Sequence, residues 1–305
     1  MEIVSKKVAL ISIVDISKKN GQGLYGYKSI EALCQSEEFE FYVIIPRPSD
    51  ERAVIKIASL AKVIFLPRKV KSRSIGWHLM IQVRLLITLI HIGKVDALVY
   101  SLKPTMLSPL IFSMVYKVPI FLLVEGLATE TIKTLTRGIG VFFARTVLTW
   151  NIKMAEKVFP AYHSALKWVS NLRNDESIVL PCGVDFDIFK EKVKIKTNVL
   201  TIGYVGSFRK VHMLRELILS CVDLNIKIYL IGDGEEKLSL EGLVKELGIS
   251  SKVLFIGSRN QDELPQYYAK CDVMWAACDP SHWGIPMKCF EYLSCNKRVI
   301  YIHKE

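Results

Sequence analysis

Several things are missing from this 305-residue chain, and each absence excludes something. No apolar run is long enough to span a bilayer. Pro109–Leu127 comes nearest, but Lys117 and Pro119 interrupt it, so it reads as a helix end followed by a strand. No leader is visible, because the apolar run Val8–Val14 behind Lys6 and Lys7 is short and stops at Asp15. The seven cysteines form no C-x-x-C pair and their number is odd, which argues against a disulfide frame and for buried free thiols in a reducing, intracellular compartment. There is no internal repeat and no low-complexity tract. No His/Asp/Glu cluster has metal-ligand spacing, so no metal and no cofactor are expected.

What is present is ordinary for a folded chain: half the residues are apolar and 23% are charged. The length suits two domains with separate cores. The net charge of +11 is uneven. Residues 1–190 hold 25 Lys/Arg against 16 Asp/Glu, whereas 191–305 hold 16 against 14. The first part therefore favours an anionic partner such as phospholipid, a phosphorylated lipid carrier or nucleic acid, unless its basic surface is simply solvated.

Short β-branched runs alternate with amphipathic segments, the pattern of parallel sheets covered on both faces. Strands are expected at Val8–Val14, Glu40–Ile45, Val63–Leu66, Ala97–Ser101, Ile120–Val124, Lys157–Pro160 and Ser177–Leu180. A second series is expected at Leu200–Val205, Lys227–Ile231, Lys252–Ile256, Val273–Ala276 and Arg298–Ile302. Helices are expected between them, among them Arg52–Leu60, Ile75–His91, Pro104–Tyr116, His212–Val222 and Met287–Ser294. The charged stretch Lys190–Thr197 places the domain boundary near Lys190. The reading is α/β: two Rossmann-like, doubly wound domains, 1–190 and 191–305, facing a cleft.

Residues 281–300 carry the clearest chemistry. Gly284 and Pro286 precede a helix that opens on Lys288 and Glu291, and a strand follows at once. A cation and a carboxylate at a helix start after a strand and loop suit a nucleoside diphosphate, the Lys for phosphate and the Glu for ribose hydroxyls. This stretch resembles the donor-sugar signature G-x-P-x-K-x-x-E-Y-L/M of family 4 retaining glycosyltransferases (glycosyl transferases group 1), which have the GT-B fold. Other segments resemble the same family in order. Tyr204–His212 (YVGSFRKVH) is similar to the pyrophosphate loop, Ile231–Glu236 to the G-x-G turn, and Phe255–Arg259 to the turn facing the base. Leu180–Phe189 resembles P-N-G-V-D-x-x-x-F, with Cys182 in place of the usual Asn.

The resemblance implies transfer of a sugar from a nucleoside diphosphate to a hydroxyl, on a glycan or a lipid-linked acceptor, with retention. It implies donor contacts from Gly206, Arg209, Lys210, Gly257, Lys288 and Glu291, although Ser207 and His212 stand about where many relatives carry their Arg and Lys. Asp279 or His282 would supply a polar sugar contact where Trp283 replaces the first of two Glu. In the first domain Gly21 and Gly23 resemble an acceptor-side loop after the first strand. Glu125 stands where relatives often place His, giving it and Glu291 catalytic roles, unless Glu125 only caps its strand. No nucleic-acid partner is then expected. A cytoplasmic protein, peripheral on an anionic inner membrane face, fits the charge and the aromatic-basic stretch 137–157. The family pattern continues beyond the strand at Arg298–Ile302, so an incomplete second domain, weak donor binding and slow turnover are expected. The rival readings are a non-catalytic partner subunit and a nucleotide-sugar epimerase.

Overall fold

The structure is a computed structural model, and it describes residues 5–17, 21–68, 75–125, 139–173, 177–193, 195, 198–279 and 285–302. It divides into two compact units, Met1–Pro181 and Cys182–Glu305. Phe189 is fully buried in the second unit and stacks on Tyr268 at 6.1 Å.

The first unit is a six-stranded parallel sheet: β1 Lys6–Ile11, β2 Phe39–Pro46, β3 Lys62–Leu66, β4 Ala97–Ser101, β5 Ile120–Val124 and β6 Lys157–Pro160, in the order β3-β2-β1-β4-β5-β6. A parallel strand is covered on both faces, so it needs apolar residues at successive positions rather than alternate ones. In β1, Val8 and Leu10 join one core with Ile30, Phe41 and Ile57, while Ala9 and Ile11 join the other with Leu85, Leu98 and Leu122. The helices are α1 Gly21–Cys34, α2 Ile55–Ala58, α3 Ile75–Ile92, α4 Ser108–Tyr116, α5 Ile139–Met154 and α6 His163–Ser170.

Several expected elements differ. The segment Asn20–Gly23 was expected as a loop, but helix α1 already begins at Gly21, so Gly21 and Gly23 lie in its first turn. Arg52–Leu60 is a 3-10 turn, Glu51–Val54, followed by the four residues of α2, and the Asp50 side chain caps it by accepting from the Arg52 N–H. Helix α4 starts at Ser108 rather than Pro104. Its first N–H groups have no cap of their own and donate instead to Gln82 Oε1 on α3, at 3.1 Å from Leu107 and 3.0 Å from Ser108. Ser177–Leu180 is not a strand; of its backbone, Leu180 N–H reaches Pro160 O at 2.9 Å.

Helix α3 has two apolar faces. Trp77, Ile81, Leu85 and Leu89 form a buried stripe at i, i+4 spacing, and Leu79, Val83, Ile87 and Ile90 are exposed on the other side. On α5, Ala144, Leu148 and Ile152 are buried, while Phe142, Phe143 and Trp150 are exposed. The beginning of the stretch 137–157 lies outside the described residues. Asn151 of α5 is fully buried and satisfied: its amide donates to Met106 O at 2.9 Å and Val147 O at 2.7 Å, and it accepts from Tyr100 Oη at 2.5 Å.

The second unit is a five-stranded parallel sheet: β7 Leu200–Val205, β8 Ile226–Ile231, β9 Val253–Gly257, β10 Val273–Trp275 and β11 Arg298–Ile300, in the order β11-β10-β7-β8-β9. Its helices are α7 Leu214–Ser220, α8 Lys237–Glu246, α9 Leu264–Ala269 and α10 Met287–Ser294. The expected helix His212–Val222 is broken, because Met213 takes a left-handed conformation (φ 52°) between a 3-10 turn, Lys210–His212, and α7. All seven cysteines are free and buried. No helix among the described residues is long and apolar enough to cross a membrane.

Candidate functional site

In the second sheet the chain runs outward from β7 first through β8 and β9, then through β10 and β11. Between β7 and β10 the strand order reverses, and the carboxyl ends of those two strands border the crevice where open α/β sheets take ligands. Gly206 follows β7 with φ +141°, and Gly232 follows β8 with φ +139°. Three backbone bonds lace the two loops: Gly206 N–H to Ile231 O at 3.0 Å, Phe208 N–H to Asp233 O at 2.8 Å and Glu236 N–H to Phe208 O at 3.1 Å. A Cβ on Gly232 would lie 1.9 Å from Gly206 O, so only glycine lets the loops approach this closely. Gly232 N–H also donates to Gly257 O at 3.0 Å, which ties the end of β9 to the same loops.

Helix α10 brings its side chains to this place. Lys288 extends its ammonium over the Tyr204 ring, 4.0 Å from the ring centre. A Cβ on Gly206 would sit 2.9 Å from the Lys288 Nζ, so the amine lies directly against the loop. Among the described residues Lys288 makes no hydrogen bond or ion pair; the aromatic face is the contact that holds it. Burial pulls its pKa down to about 8, against smaller opposing effects from Cys278, Cys289 and Glu291.

One turn later, Glu291 accepts from the buried Tyr268 hydroxyl at 3.0 Å. Burial pushes the Glu291 carboxyl above its ordinary range, although Tyr268 and the nearby Lys288 pull the other way. Tyr292, fully buried, accepts from Val205 N–H at 3.0 Å, in the residue just before Gly206. Tyr268 and Tyr292 meet edge to face at 5.2 Å. Thus the glycine loop, the cation and the carboxylate are held in one frame by three tyrosines.

Of the residues expected from sequence, Gly206, Gly257, Lys288 and Glu291 belong to this frame. Arg209 and Lys210 do not enter it by contact. Both side chains are exposed, and the Arg209 Nε lies 3.9 Å from Glu235 Oε1, itself exposed. The Arg209 charge acts on the Tyr204 hydroxyl only at a distance. His212 faces Ser207 Oγ at 3.5 Å and Cys278 Sγ at 3.7 Å, and its carbonyl accepts from Trp275 Nε1 at 3.0 Å. The Asp279 N–H donates to Val211 O at 2.7 Å; His282, Trp283 and Gly284 lie outside the described residues. Sequence reasoning missed Tyr204 and Tyr268. Tyr292 stands in the quoted signature but carried no role there, because an aromatic on an apolar helix face reads as core.

In the first unit Glu125 follows β5. The Ser101 hydroxyl at the end of β4 donates to it, and Lys103 Nζ lies 3.1 Å away in a mostly buried ion pair. The carboxylate therefore lies between two neighbouring strand ends. Among the described residues no group of three His, Cys, Asp or Glu could hold a metal ion.

Residues 185–304 match the family model described as Glycosyl transferases group 1. Over 115 residues, 36% of this chain, the sequence is 26% identical to N-acetyl-alpha-D-glucosaminyl L-malate synthase of Bacillus anthracis, of which that stretch is 29%. Over nearly the whole length the structure is similar to sucrose-phosphate synthase from Thermosynechococcus elongatus (TM-score 0.76, 16% identity, 97% of this chain and 81% of that one). It is also similar to Anabaena HepE in complex with UDP-glucose (TM-score 0.71, 16% identity, 97% and 80%). These likenesses give the fold, the GT-B fold of two Rossmann-like domains. The match at 185–304 lies within the second unit, which is thus similar to group 1 glycosyltransferases.

Proposed function

We propose that this chain, whose second unit is similar to group 1 glycosyltransferases, moves a sugar from a nucleoside diphosphate sugar to a hydroxyl acceptor, with retention. The observation that supports this best is Lys288: an ammonium over an aromatic ring, against a glycine loop and one turn from a half-buried carboxylate. As the bond from the anomeric carbon to the diphosphate oxygen breaks, its electron pair goes to that oxygen. Lys288 and the Gly206 loop would meet the charge that develops, more strongly in the transition state than before it. Arg209 and Lys210, exposed beside the loop, would draw the donor in by longer-range attraction. Glu291 would accept hydrogen bonds from ribose or sugar hydroxyls.

The acceptor oxygen would form the new bond to the anomeric carbon. Its proton would pass to a base, and in the first unit Glu125 is the carboxylate put forward for that role. Gly21 and Gly23, in the first turn of α1, are proposed on the acceptor side. The reading needs no metal, since Lys288 and the Gly206 loop would meet the phosphate charge. A lipid-linked or surface glycan acceptor, met by a cytoplasmic protein resting on the inner membrane face, suits the basic first unit. HepE was solved with UDP-glucose, so uracil is the first base to try.

The test is calorimetric titration of the chain with UDP, GDP and ADP and their sugars, followed by mass spectrometry and anomeric NMR of products formed with lipid-phosphate and glycan acceptors. Binding of a nucleoside diphosphate with transfer of its sugar is expected. Failure of every nucleoside diphosphate to bind would refute the reading, and free sugar or an isomer formed without acceptor would replace it with the epimerase.

A further inference from the structure

A cavity of about 390 Å³ opens in the first unit where β2 and β3 end, and α3 forms its third side. Three arginines line it: Arg47 just after β2, Arg68 just after β3 and Arg84 on α3. The two strand ends are pinned together by the Arg47 N–H, which donates to Leu66 O at 2.8 Å. The Arg47 guanidinium lies 5.5 Å from the centre of the Phe65 ring, with Glu51 Oε1 3.6 Å away in a pair exposed on both sides. Arg68 donates to Pro48 O at 2.7 Å. Arg84 makes no ion pair or hydrogen bond among the described residues. Three guanidinium charges around one cavity therefore meet a single, solvated carboxylate. Guanidinium forks in a cleft beside an aromatic ring are suited to phosphate.

The neighbouring surface narrows the choice of phosphate. On α3, Leu79, Val83, Ile87 and Ile90 are 65%, 59%, 43% and 49% exposed. At about 100° per residue they share an arc of about 80°, and Arg84 and Thr88, which line the cavity, lie about 60° and 100° beyond it. Helix α4, fastened to α3 through Gln82, exposes Ile111, Met114 and Val115 as well. An outward helix face in water is ordinarily polar, so a contiguous apolar face of this kind marks a contact. An apolar ridge bordered by arginines matches an amphiphile, with its phosphate in the cavity and its hydrocarbon along the ridge.

We propose that this site seats an anionic phospholipid surface, with headgroup phosphate between Arg47, Arg68 and Arg84 and the α3 ridge at the acyl boundary. The inference gives the membrane association proposed above a place. It shares no residue with the donor pocket, so its failure leaves glycosyl transfer untouched.

The experiment is co-sedimentation of the full chain with phosphatidylcholine vesicles and with vesicles also containing phosphatidylglycerol. The wild type should pellet with the anionic vesicles only. Each arginine near the surface contributes about fivefold, about 1 kcal/mol, so Arg47→Ala/Arg84→Ala should lower the partition coefficient about 25-fold. Val83→Ser/Ile87→Ser should lower it several-fold with the arginines intact. Circular dichroism and UDP titration on each variant separate these losses from misfolding. Equal partition onto both vesicles, no binding to either, or wild-type binding by the folded arginine variant would overturn the proposal. So would a site that soluble glycerol phosphate saturates while the serine variant keeps full binding, because it would then be a free-phosphate site.

Discussion

Replacing Lys288 with Met keeps the length and the cover over Tyr204 but removes the charge. Burial lowers the Lys288 pKa to about 8, so the fold has already met part of the cost of dehydrating the ammonium, and that part does not recur when a diphosphate arrives. A hydrogen bond to a charged group is worth about 1.5–3 kcal/mol, so UDP should bind Lys288→Met roughly 10- to 150-fold more weakly. A second readout follows from the same pKa. With burial as the cause, the amine is roughly nine-tenths charged near pH 7 and one-tenth near pH 9, so the competent fraction falls about tenfold. The sign is set by the direction of the shift: the charged form binds, hence wild-type affinity is full below pH 8 and is lost as pH rises through it. Calorimetry across this range should show a Kd rising about tenfold for the wild type and nearly flat for Lys288→Met. Proton uptake on binding, read in buffers of different ionisation enthalpy, should appear near pH 8 and vanish in the variant. Wild-type affinity in Lys288→Met, or a pH-independent wild type, would refute the reasoning.

Glu291→Ala should weaken nucleotide-sugar binding by about 1.5–3 kcal/mol, and Tyr268→Phe should weaken it less while raising the Glu291 pKa further, both read by titration. Gly232→Ala would force a Cβ to 1.9 Å from Gly206 O at a positive φ; a Tm several degrees lower and loss of UDP binding are expected, and an unchanged Tm would contradict the loop geometry. Asn151→Leu removes a buried amide whose partners include the Tyr100 hydroxyl, so about 2–4 kcal/mol of stability should go, measured by urea unfolding, with UDP affinity unchanged.

The strands were legible because parallel sheets require continuous apolar runs, and runs such as Ala97–Ser101 and Ile120–Val124 have sharp polar edges. Short helices were not. The stop at Met213 depends on a left-handed residue that is not glycine, and the start of α4 depends on Gln82 from another helix; neither leaves a local mark. At the site, Lys288 and Glu291 stood out as charges in an otherwise apolar stretch. The surface fate of Arg209 and Lys210 did not, since sequence gives the loop but not the direction of its side chains. The tyrosines were hidden for the opposite reason: a buried hydroxyl looks like any core aromatic until its partner 87 residues away is known.

Tyr292 has a consequence of its own. Its hydroxyl is moored to the backbone of Val205, and Lys288 and Glu291 ride on the same helix, one turn apart, about 4.5 Å along its axis. The backbone beneath one charge cannot advance toward the Gly206 loop without that beneath the other. The helix therefore works as a ruler with two fixed graduations. On the proposed reading, a nucleotide whose phosphate and hydroxyl groups match that interval would engage both at once, and a nucleoside monophosphate should bind more weakly than the diphosphate.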